Sequence, residues 1–160
     1  MGWAEKLGKL LKQRNQVLVT AESCTGGGVA AAITDIAGSS EWFDRAFITY
    51  SNQAKIEMLG VMQQTLDQHG AVSEATVEEM VSGALRYSPA TIGVSISGIA
   101  GPGGGSVEKP VGTVCFAWAD KSGWLERRTY HLDGDRGQVR QQAVEIALKV
   151  LYERLTSLSE

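Results

Sequence analysis

The feature that most constrains the fold is the alternation of short apolar runs with segments of helical spacing. Three short runs are typical of strands: buried strands are predicted at 17–21 and 91–97, and a further strand at 43–49. Helices are predicted from apolar periodicity and capping residues at 3–14, 27–36, 52–60 and 74–86, with a turn or helix at 63–68. Either Ser51 or Asn52 could cap the helix that ends near Gly60. Strands that alternate with helices in this way form a parallel sheet with helices packed on its faces.

The last third of the chain departs from this alternation. Two strands, predicted at 111–119 and 124–132, are joined only by Asp120-Lys121-Ser122-Gly123, and such a short turn favours an antiparallel hairpin. A final helix is predicted over 137–155. We therefore expect a three-layer α/β/α sandwich with a mixed, mostly parallel sheet, in a single domain that spans residues 1–160.

Composition narrows the class of protein. A chain of 160 residues with 43% hydrophobic and 21% charged residues is expected to fold as one soluble domain. Its net charge of -3 disfavours nucleic acid as a partner, and no apolar run is long enough to span a membrane. The start of the chain lacks the apolar core of a secretory signal, and only two cysteines, Cys24 and Cys115, suit a reducing cytoplasm. The wide spacing of His69 and His131 predicts no structural zinc site.

Glycine is in excess, at 19 residues, and its positions indicate a first candidate site. The predicted strand at 17–21 runs into Glu22-Ser23-Cys24-Thr25-Gly26-Gly27-Gly28 at the start of a helix. Helix N-termini expose N–H groups that stabilise the anion of a nucleophile and of a tetrahedral intermediate. Ser23, Cys24 or Thr25 could attack from this position. The alternative is structural: the hydroxyl groups cap the helix and the glycines permit close packing.

A second candidate site lies after the next predicted strand. Tyr50 ends the strand at 43–49, at the sheet edge where α/β proteins bind ligands. Lys55 follows on the first turns of the next helix. A lysine beside a serine acts as a general base when burial lowers its pKa. The alternative is an ordinary exposed lysine on a helix.

A third candidate is the glycine-rich loop at 98–109, which leaves the carboxyl end of a buried strand beside Ser97 and therefore faces the same edge. Its backbone N–H groups could hold a phosphate or a ribose. It lacks the Gly-Lys-Ser/Thr ending of a P-loop. The alternative is a surface loop with no ligand.

The glycines of the first candidate site also resemble a dinucleotide-binding fingerprint. Gly26-x-Gly28-x-x-Ala31 matches it only in part, because no acidic residue ends the next strand.

A fourth candidate is a pair of arginines at the start of the last helix. Arg136 and Arg140 are four residues apart and therefore share a helix face. Together with the helix N-terminus they could hold a phosphate or a carboxylate. The alternative is surface charge that compensates Asp133 and Asp135.

Several blocks of the chain resemble the CinA carboxy-terminal domain family, in the family's order and over nearly the whole length. These blocks are Ala21-Glu22-Ser23-Cys24-Thr25-Gly26-Gly27, Thr49-Tyr50-Ser51-Asn52 with Lys55, Ser97-Gly98-Ile99-Ala100-Gly101-Pro102, Lys109-Pro110-Val111-Gly112-Thr113-Val114 and Gly134-Asp135-Arg136. The resemblance is greatest to the stand-alone members, since the chain is too short for the molybdopterin-binding-like domain of longer members.

The resemblance implies an activity and a set of site residues. The activity is hydrolysis of nicotinamide mononucleotide (NMN) to nicotinic acid mononucleotide and ammonia in pyridine nucleotide salvage, by a homodimer or higher homo-oligomer without metal or cofactor. Ser23, Tyr50 and Lys55 match the catalytic positions of the family, and an arginine near the last helix is also implicated. The residues expected to bind substrate are Thr25, Gly26, Ser97, Gly98, Gly101, Arg136 and Arg140.

These matches predict a mechanism. Ser23 Oγ attacks the amide carbon while neutral Lys55 takes its proton, which Tyr50 relays or positions. The oxyanion faces N–H groups near Thr25 and Gly26, ammonia leaves, and water hydrolyses the acyl-enzyme. Local chemistry alone leaves Cys24 as a rival nucleophile. Other hypotheses are hydrolysis of another nucleotide such as ADP-ribose, and a non-catalytic nucleotide-binding or competence and DNA-damage accessory module.

Overall fold

The computed structural model describes residues 2–158, so the ends of the expected 1–160 domain, Met1, Ser159 and Glu160, lie outside the described residues. The helices and strands, in chain order, are α1 (Trp3–Gln13), β1 (Leu18–Glu22), α2 (Gly28–Thr34), a short 3-10 helix (Ser39–Glu41), β2 (Phe43–Ile48), α3 (Asn52–Leu59), α4 (Gln63–His69), α5 (Glu74–Arg86), β3 (Ile92–Gly98), β4 (Thr113–Asp120), β5 (Leu125–His131) and α6 (Arg136–Ser157). Every element that the sequence predicts is present, with ends displaced by two residues or fewer.

The strands form a five-stranded sheet in the order β2-β1-β3-β4-β5. β1 pairs in parallel with both β2 and β3, whereas β4 is antiparallel to β3 and to β5. The sheet is therefore mixed, and four of the five described strands run in the same direction. In the parallel register, Glu22 lies beside Ile48 and Ile96, which places the carboxyl ends of β1, β2 and β3 at one edge.

Helices cover both faces of the sheet, as the alternating pattern predicts. α1, α2 and α6 pack on one face, where Phe116 and Trp118 of β4 are fully buried. α3, α4 and α5 pack on the other face, where β4 presents the smaller Cys115 and Ala117. The three-layer α/β/α architecture is confirmed, because residues that alternate along β4 enter two separate cores.

Local capping sets where the helices around the site begin. The hydroxyl of Ser51 accepts a hydrogen bond from Ala54 N at 3.0 Å, which confirms one of the two caps considered for α3. α6 begins at Arg136, one residue earlier than predicted, because Asp135 forms a capping box with Gln138. No helix in the described part of the chain is both long and apolar enough to cross a membrane.

β4 begins two residues later than the sequence predicts. Gly112 adopts a φ of +95°, and a side chain there would lie 2.1 Å from the carbonyl oxygen of Leu132. The chain therefore turns at this glycine before it enters the strand at Thr113. This turn brings the segment that follows the glycine-rich loop back beside Ile99, whose carbonyl accepts a hydrogen bond from Gly112 N at 2.7 Å.

Candidate active site

A cavity of about 270 Å³ lies where the segments after β1, β2 and β3 meet. The predicted site residues that line it are Ser23, Tyr50, Lys55, Ser97, Gly98 and Arg136. Cys24, Asn52 and the apolar residues Ala71, Val72 and Ala100 complete the lining. The cavity thus joins segments that are far apart in the sequence, at the sheet edge where parallel strands end.

Ser23 and Lys55 form the central contact of this cavity. Lys55 Nζ donates a hydrogen bond to Ser23 Oγ at 2.9 Å, and the two side chains are both buried. The contact arises because Ser23 directly follows β1, while Lys55 lies on the first turn of α3, which follows the neighbouring strand β2. The alternative of an exposed lysine is excluded, since Lys55 is only 1% exposed.

The surroundings of Lys55 favour its neutral form. Nζ also donates to the carbonyl oxygens of Thr49 at 2.9 Å and Tyr50 at 3.3 Å, and none of its acceptors is charged. A neutral amine keeps two hydrogens for these carbonyls and leaves its lone pair facing Ser23 Oγ. Burial lowers the pKa of Lys55 from 10.5 to about 8. About a tenth of this amine is therefore unprotonated at pH 7 and about half near pH 8, and this neutral form can accept a proton.

Cys24 has the opposite electrostatic character. Burial raises the pKa of its thiol to about 11, despite the opposing effects of Arg140 and Lys55. At neutral pH the side chain is a protonated thiol, which is a weak nucleophile. Sequence reasoning left Ser23 and Cys24 open as nucleophiles. The two are about equally buried, but only the Ser23 side chain forms a hydrogen bond with Lys55.

Glu22 is a residue of the site that the sequence analysis did not assign. Its fully buried carboxylate accepts hydrogen bonds from the hydroxyl of Thr25 at 2.7 Å and from Val29 N and Ala30 N at 3.0 Å. It also accepts one from the hydroxyl of Thr20 at 3.1 Å. The carboxylate thus caps α2 from the preceding strand. The sequence carried one signal of this role: Glu22 ends an apolar strand, and the helix that follows begins with glycines, which have no side chain to cap it.

The two candidate arginines have different partners. Arg136 donates to the carbonyl oxygen of Gly101 at 2.9 Å and lies 3.4 Å from the Tyr50 hydroxyl, at the rim of the cavity. Arg140 donates to the carbonyl oxygens of Cys24 at 2.9 Å and Thr25 at 3.2 Å. The shared helix face is therefore present, but only Arg136 reaches the cavity lining.

The remaining predicted residues lie in two settings. Ser97 and Gly98 line the cavity, whereas Thr25, Gly26 and Gly101 do not. Thr25 is 1% exposed and faces Glu22. The glycine-rich loop is exposed from residue 102 to 108.

Within residues 2–158, no group of three or more His, Cys, Asp or Glu side chains is arranged to hold a metal ion.

Comparison with known proteins shows the family to which the chain belongs. Residues 2–155 match the family model described as the CinA C-terminal domain. This chain belongs to the CinA C-terminal domain family. Its resemblance to that family, predicted from the blocks around Ser23, Tyr50 and Arg136, is confirmed.

Relatives in the CinA C-terminal domain family include short and long proteins. The chain is 56% identical over 154 residues to "Nicotinamide-nucleotide amidohydrolase PncC" of Escherichia coli K12, covering 96% of this chain and 93% of that protein. It is 51% identical to the protein of the same name from Pseudomonas putida, covering 94% of this chain and 93% of that protein. It is 48% identical to a "CinA-like protein" of Desulforapulum autotrophicum, of which the match covers 36%.

Solved structures of CinA proteins share the fold. A CinA superfamily protein from Klebsiella pneumoniae superimposes with a TM-score of 0.93 at 41% identity, over 97% of this chain and 96% of that one. The competence/damage inducible protein CihA of Agrobacterium tumefaciens gives a TM-score of 0.90 at 43% identity, over 98% and 97% of the two chains. The α/β sandwich is thus that of the CinA superfamily.

Proposed function

We propose that this chain hydrolyses the carboxamide of NMN to nicotinic acid mononucleotide and ammonia. The observation that carries the proposal is the 2.9 Å contact between Ser23 Oγ and Lys55 Nζ inside the cavity. This arrangement is one that amide hydrolysis needs, because a serine becomes a nucleophile when an adjacent base removes its proton. The identity of 56% to a protein named as a nicotinamide-nucleotide amidohydrolase supports the substrate class.

In the proposed reaction, Ser23 is the nucleophile and Lys55 is the base. Ser23 Oγ forms a bond to the amide carbon while its proton passes to neutral Lys55. Lys55 then returns the proton to the departing nitrogen, the C–N bond breaks, and ammonia leaves an acyl-enzyme ester. Water, activated by the same amine, cleaves the ester and yields the carboxylate. Tyr50 contributes through its carbonyl oxygen, which accepts a hydrogen bond from Lys55 Nζ and so helps to orient it.

The oxyanion of the intermediate would be stabilised by backbone N–H groups of the turn after Ser23. Gly26 N donates to Ser23 O at 3.0 Å, and Val29 N and Ala30 N donate to Glu22, so these N–H groups are already engaged. The N–H group of Thr25 has no backbone acceptor among the described residues, and that of Cys24 contacts only its own side chain. We therefore assign the oxyanion to these two donors rather than to the N-terminus of α2.

The rest of the cavity suits a pyridine nucleotide. Ala71, Val72 and Ala100 are the apolar wall of the cavity, against which the pyridine ring would pack. Arg136 is the cation at the rim, where it would hold the phosphate and thereby orient the amide towards Ser23. Tyr50, which is 65% exposed beside Arg136, would border the ribose.

We propose that residues 1–160 act as one domain in the cytoplasm, as a homodimer or higher homo-oligomer that needs neither nucleic acid nor a membrane. The free state of both cysteines supports the cytoplasm, and the net charge of -3 supports the absence of nucleic acid.

The first test is ammonia release from NMN by the purified protein in EDTA, measured from pH 6 to pH 10. We expect release to rise about tenfold per pH unit below a pH of about 8 and then to level off, because only the neutral form of Lys55 accepts the serine proton. NMN binding without ammonia release would support the non-catalytic module instead. A rate that falls as the pH rises towards 8 would contradict a lysine base.

Arg136→Met tests the phosphate site. We expect KM for NMN to rise about 10- to 100-fold, because an arginine–phosphate contact is a charge-assisted hydrogen bond. The matched control is nicotinamide riboside, which lacks the phosphate and should keep its KM within about twofold. An equal loss with both substrates would show that Arg136 does not act on the phosphate.

A further inference from the structure

Arg140 uses its guanidinium on the backbone of the turn that carries Ser23. Arg140 lies one helical turn after Arg136 on α6, and its Nε and Nη2 donate to the carbonyl oxygens of Cys24 and Thr25. Both distances, 2.9 and 3.2 Å, are those of good hydrogen bonds. No described carboxylate forms an ion pair with Arg140. The positive charge is thus directed only at neutral carbonyl groups.

These contacts orient the N–H groups of the same peptides. A trans peptide is planar, so its carbonyl oxygen and its N–H hydrogen point in opposite directions. Holding the carbonyl of Cys24 towards Arg140 therefore directs Thr25 N–H away from the guanidinium. Thr25 is held a second time by the hydrogen bond from its hydroxyl to the buried carboxylate of Glu22, at 2.7 Å. The Cys24–Thr25 peptide is consequently restrained by two different elements, β1 and α6.

The neighbouring glycine provides room for this guanidinium. Gly26 has a φ of +59°, and a Cβ atom there would lie 3.3 Å from Arg140 Nη2, which is a tight contact. The charge of Arg140 also reaches the turn, because it is one of the influences that lower the pKa of the Cys24 thiol against the larger effect of burial. A cation at this position would stabilise negative charge that develops next to Ser23.

We propose that Arg140 is a positioning residue for amide hydrolysis: it fixes the Cys24–Thr25 peptide, directly behind the cavity-lining Cys24, so that the N–H groups of this turn are presented to the oxyanion formed when Ser23 attacks. The inference rests on the proposed function. It assigns different tasks to two arginines on one helix face, with Arg136 acting on the substrate and Arg140 acting on the protein backbone.

The test compares Arg140→Met and Arg140→Lys with Arg136→Met, using NMN and nicotinamide riboside as substrates. We expect Arg140→Met to lower kcat about 100-fold with both substrates, because a misplaced oxyanion donor weakens binding of the transition state. KM should stay within about twofold of the wild-type value. Arg140→Lys should recover part of kcat, since an ammonium group reaches one carbonyl but not two.

A second readout separates positioning from a merely structural role. Pyridine-3-carboxaldehyde, which can add Ser23 Oγ to form a hemiacetal oxyanion, should inhibit Arg140→Met about 100-fold more weakly than wild type. Inhibition by pyridine-3-carboxylate, which forms no such adduct, should change less than about threefold. A variant that had lost structure would weaken both inhibitors together and would also melt at a lower temperature.

Several outcomes would overturn the inference. One is a wild-type kcat in Arg140→Met, and another is a KM increase confined to NMN, which would make Arg140 a phosphate ligand. If Arg140→Met does not fold, a wild-type kcat in Arg140→Lys would overturn it equally. Failure of the proposed function differs from failure of the Arg140 inference, because in that case the wild-type protein itself would release no ammonia from either substrate.

Discussion

Replacing Ser23 with alanine is expected to reduce kcat for ammonia release from NMN at least about 10³-fold. The reason is that the variant has no hydroxyl at the cavity position where Ser23 contacts Lys55, and removal of a covalent nucleophile leaves only binding and oxyanion stabilisation. NMN should still bind, because Arg136 and the apolar wall of the cavity are unchanged. The measurement is steady-state ammonia release together with calorimetric binding of NMN to the variant.

Cys24→Ala is the matched control for this substitution. Cys24 is adjacent in sequence, lines the same cavity and is also buried, but its thiol has a pKa of about 11 and is protonated at neutral pH. We therefore expect the variant to keep kcat within about threefold of wild type. If Cys24→Ala were inactive and Ser23→Ala active, the assignment of the nucleophile would be reversed.

Lys55→Met is expected to have two large effects of opposite kinds. Activity should fall at least about 10³-fold, because no other described amine contacts Ser23 Oγ to take its proton. Stability should rise, because the lowering of the Lys55 pKa from 10.5 to about 8 means that folding disfavours the charged amine by roughly 3 kcal/mol. Methionine fills the same space without a charge, although it gives up the hydrogen bonds to Ser23, Thr49 and Tyr50. We expect a net gain of about 1–2 kcal/mol, or a Tm increase of about 2–8 °C.

The pH dependence of this gain follows from the same pKa. Below a pH of about 8 Lys55 is protonated in both the folded and the unfolded chain, so the full penalty for burying its charge is present. Between about 8 and 10.5 the folded chain holds a neutral amine while the unfolded chain stays charged, so wild-type stability rises with pH. The advantage of Lys55→Met in thermal unfolding should therefore be largest at pH 7 and shrink towards pH 10.

The control for the stability effect is Lys9→Met, which removes an exposed lysine from α1. It should leave Tm within about 1 °C, because no buried charge is removed. A lower Tm in Lys55→Met would mean that the hydrogen bonds of the amine outweigh the cost of its burial. Retained ammonia release in that variant would remove Lys55 from the role of base.

Much of the architecture could be predicted because it depends on local patterns. Ser51 and Ser73 each accept a hydrogen bond at the start of a helix, so the starts of α3 and α5 could be predicted within a few residues. The gathering of Ser23, Tyr50 and Ser97 at one edge was also predictable, since each follows or ends a parallel strand and such ends meet.

Other parts of the site depend on contacts between distant segments. Arg136 and Arg140 share one face of α6, and the sequence could not separate them, because the difference lies in what packs opposite each side chain. Glu22 is likewise only one residue of a motif in the sequence. Its carboxylate caps α2 because the helix leaves the strand in a direction that brings Val29 N and Ala30 N to it.

The sequence by itself therefore determined the order of helices and strands, the family and the chemical groups available at the sheet edge, because these follow from periodicity, capping and residue type. Only the tertiary structure decided how those groups behave. Within one cavity, burial lowers the pKa of Lys55 and raises the pKa of Cys24. The physical reason is that removal of water disfavours whichever form is charged, and the extent of burial is set by neighbours such as Ala71 and Gly98, which lie far away along the chain.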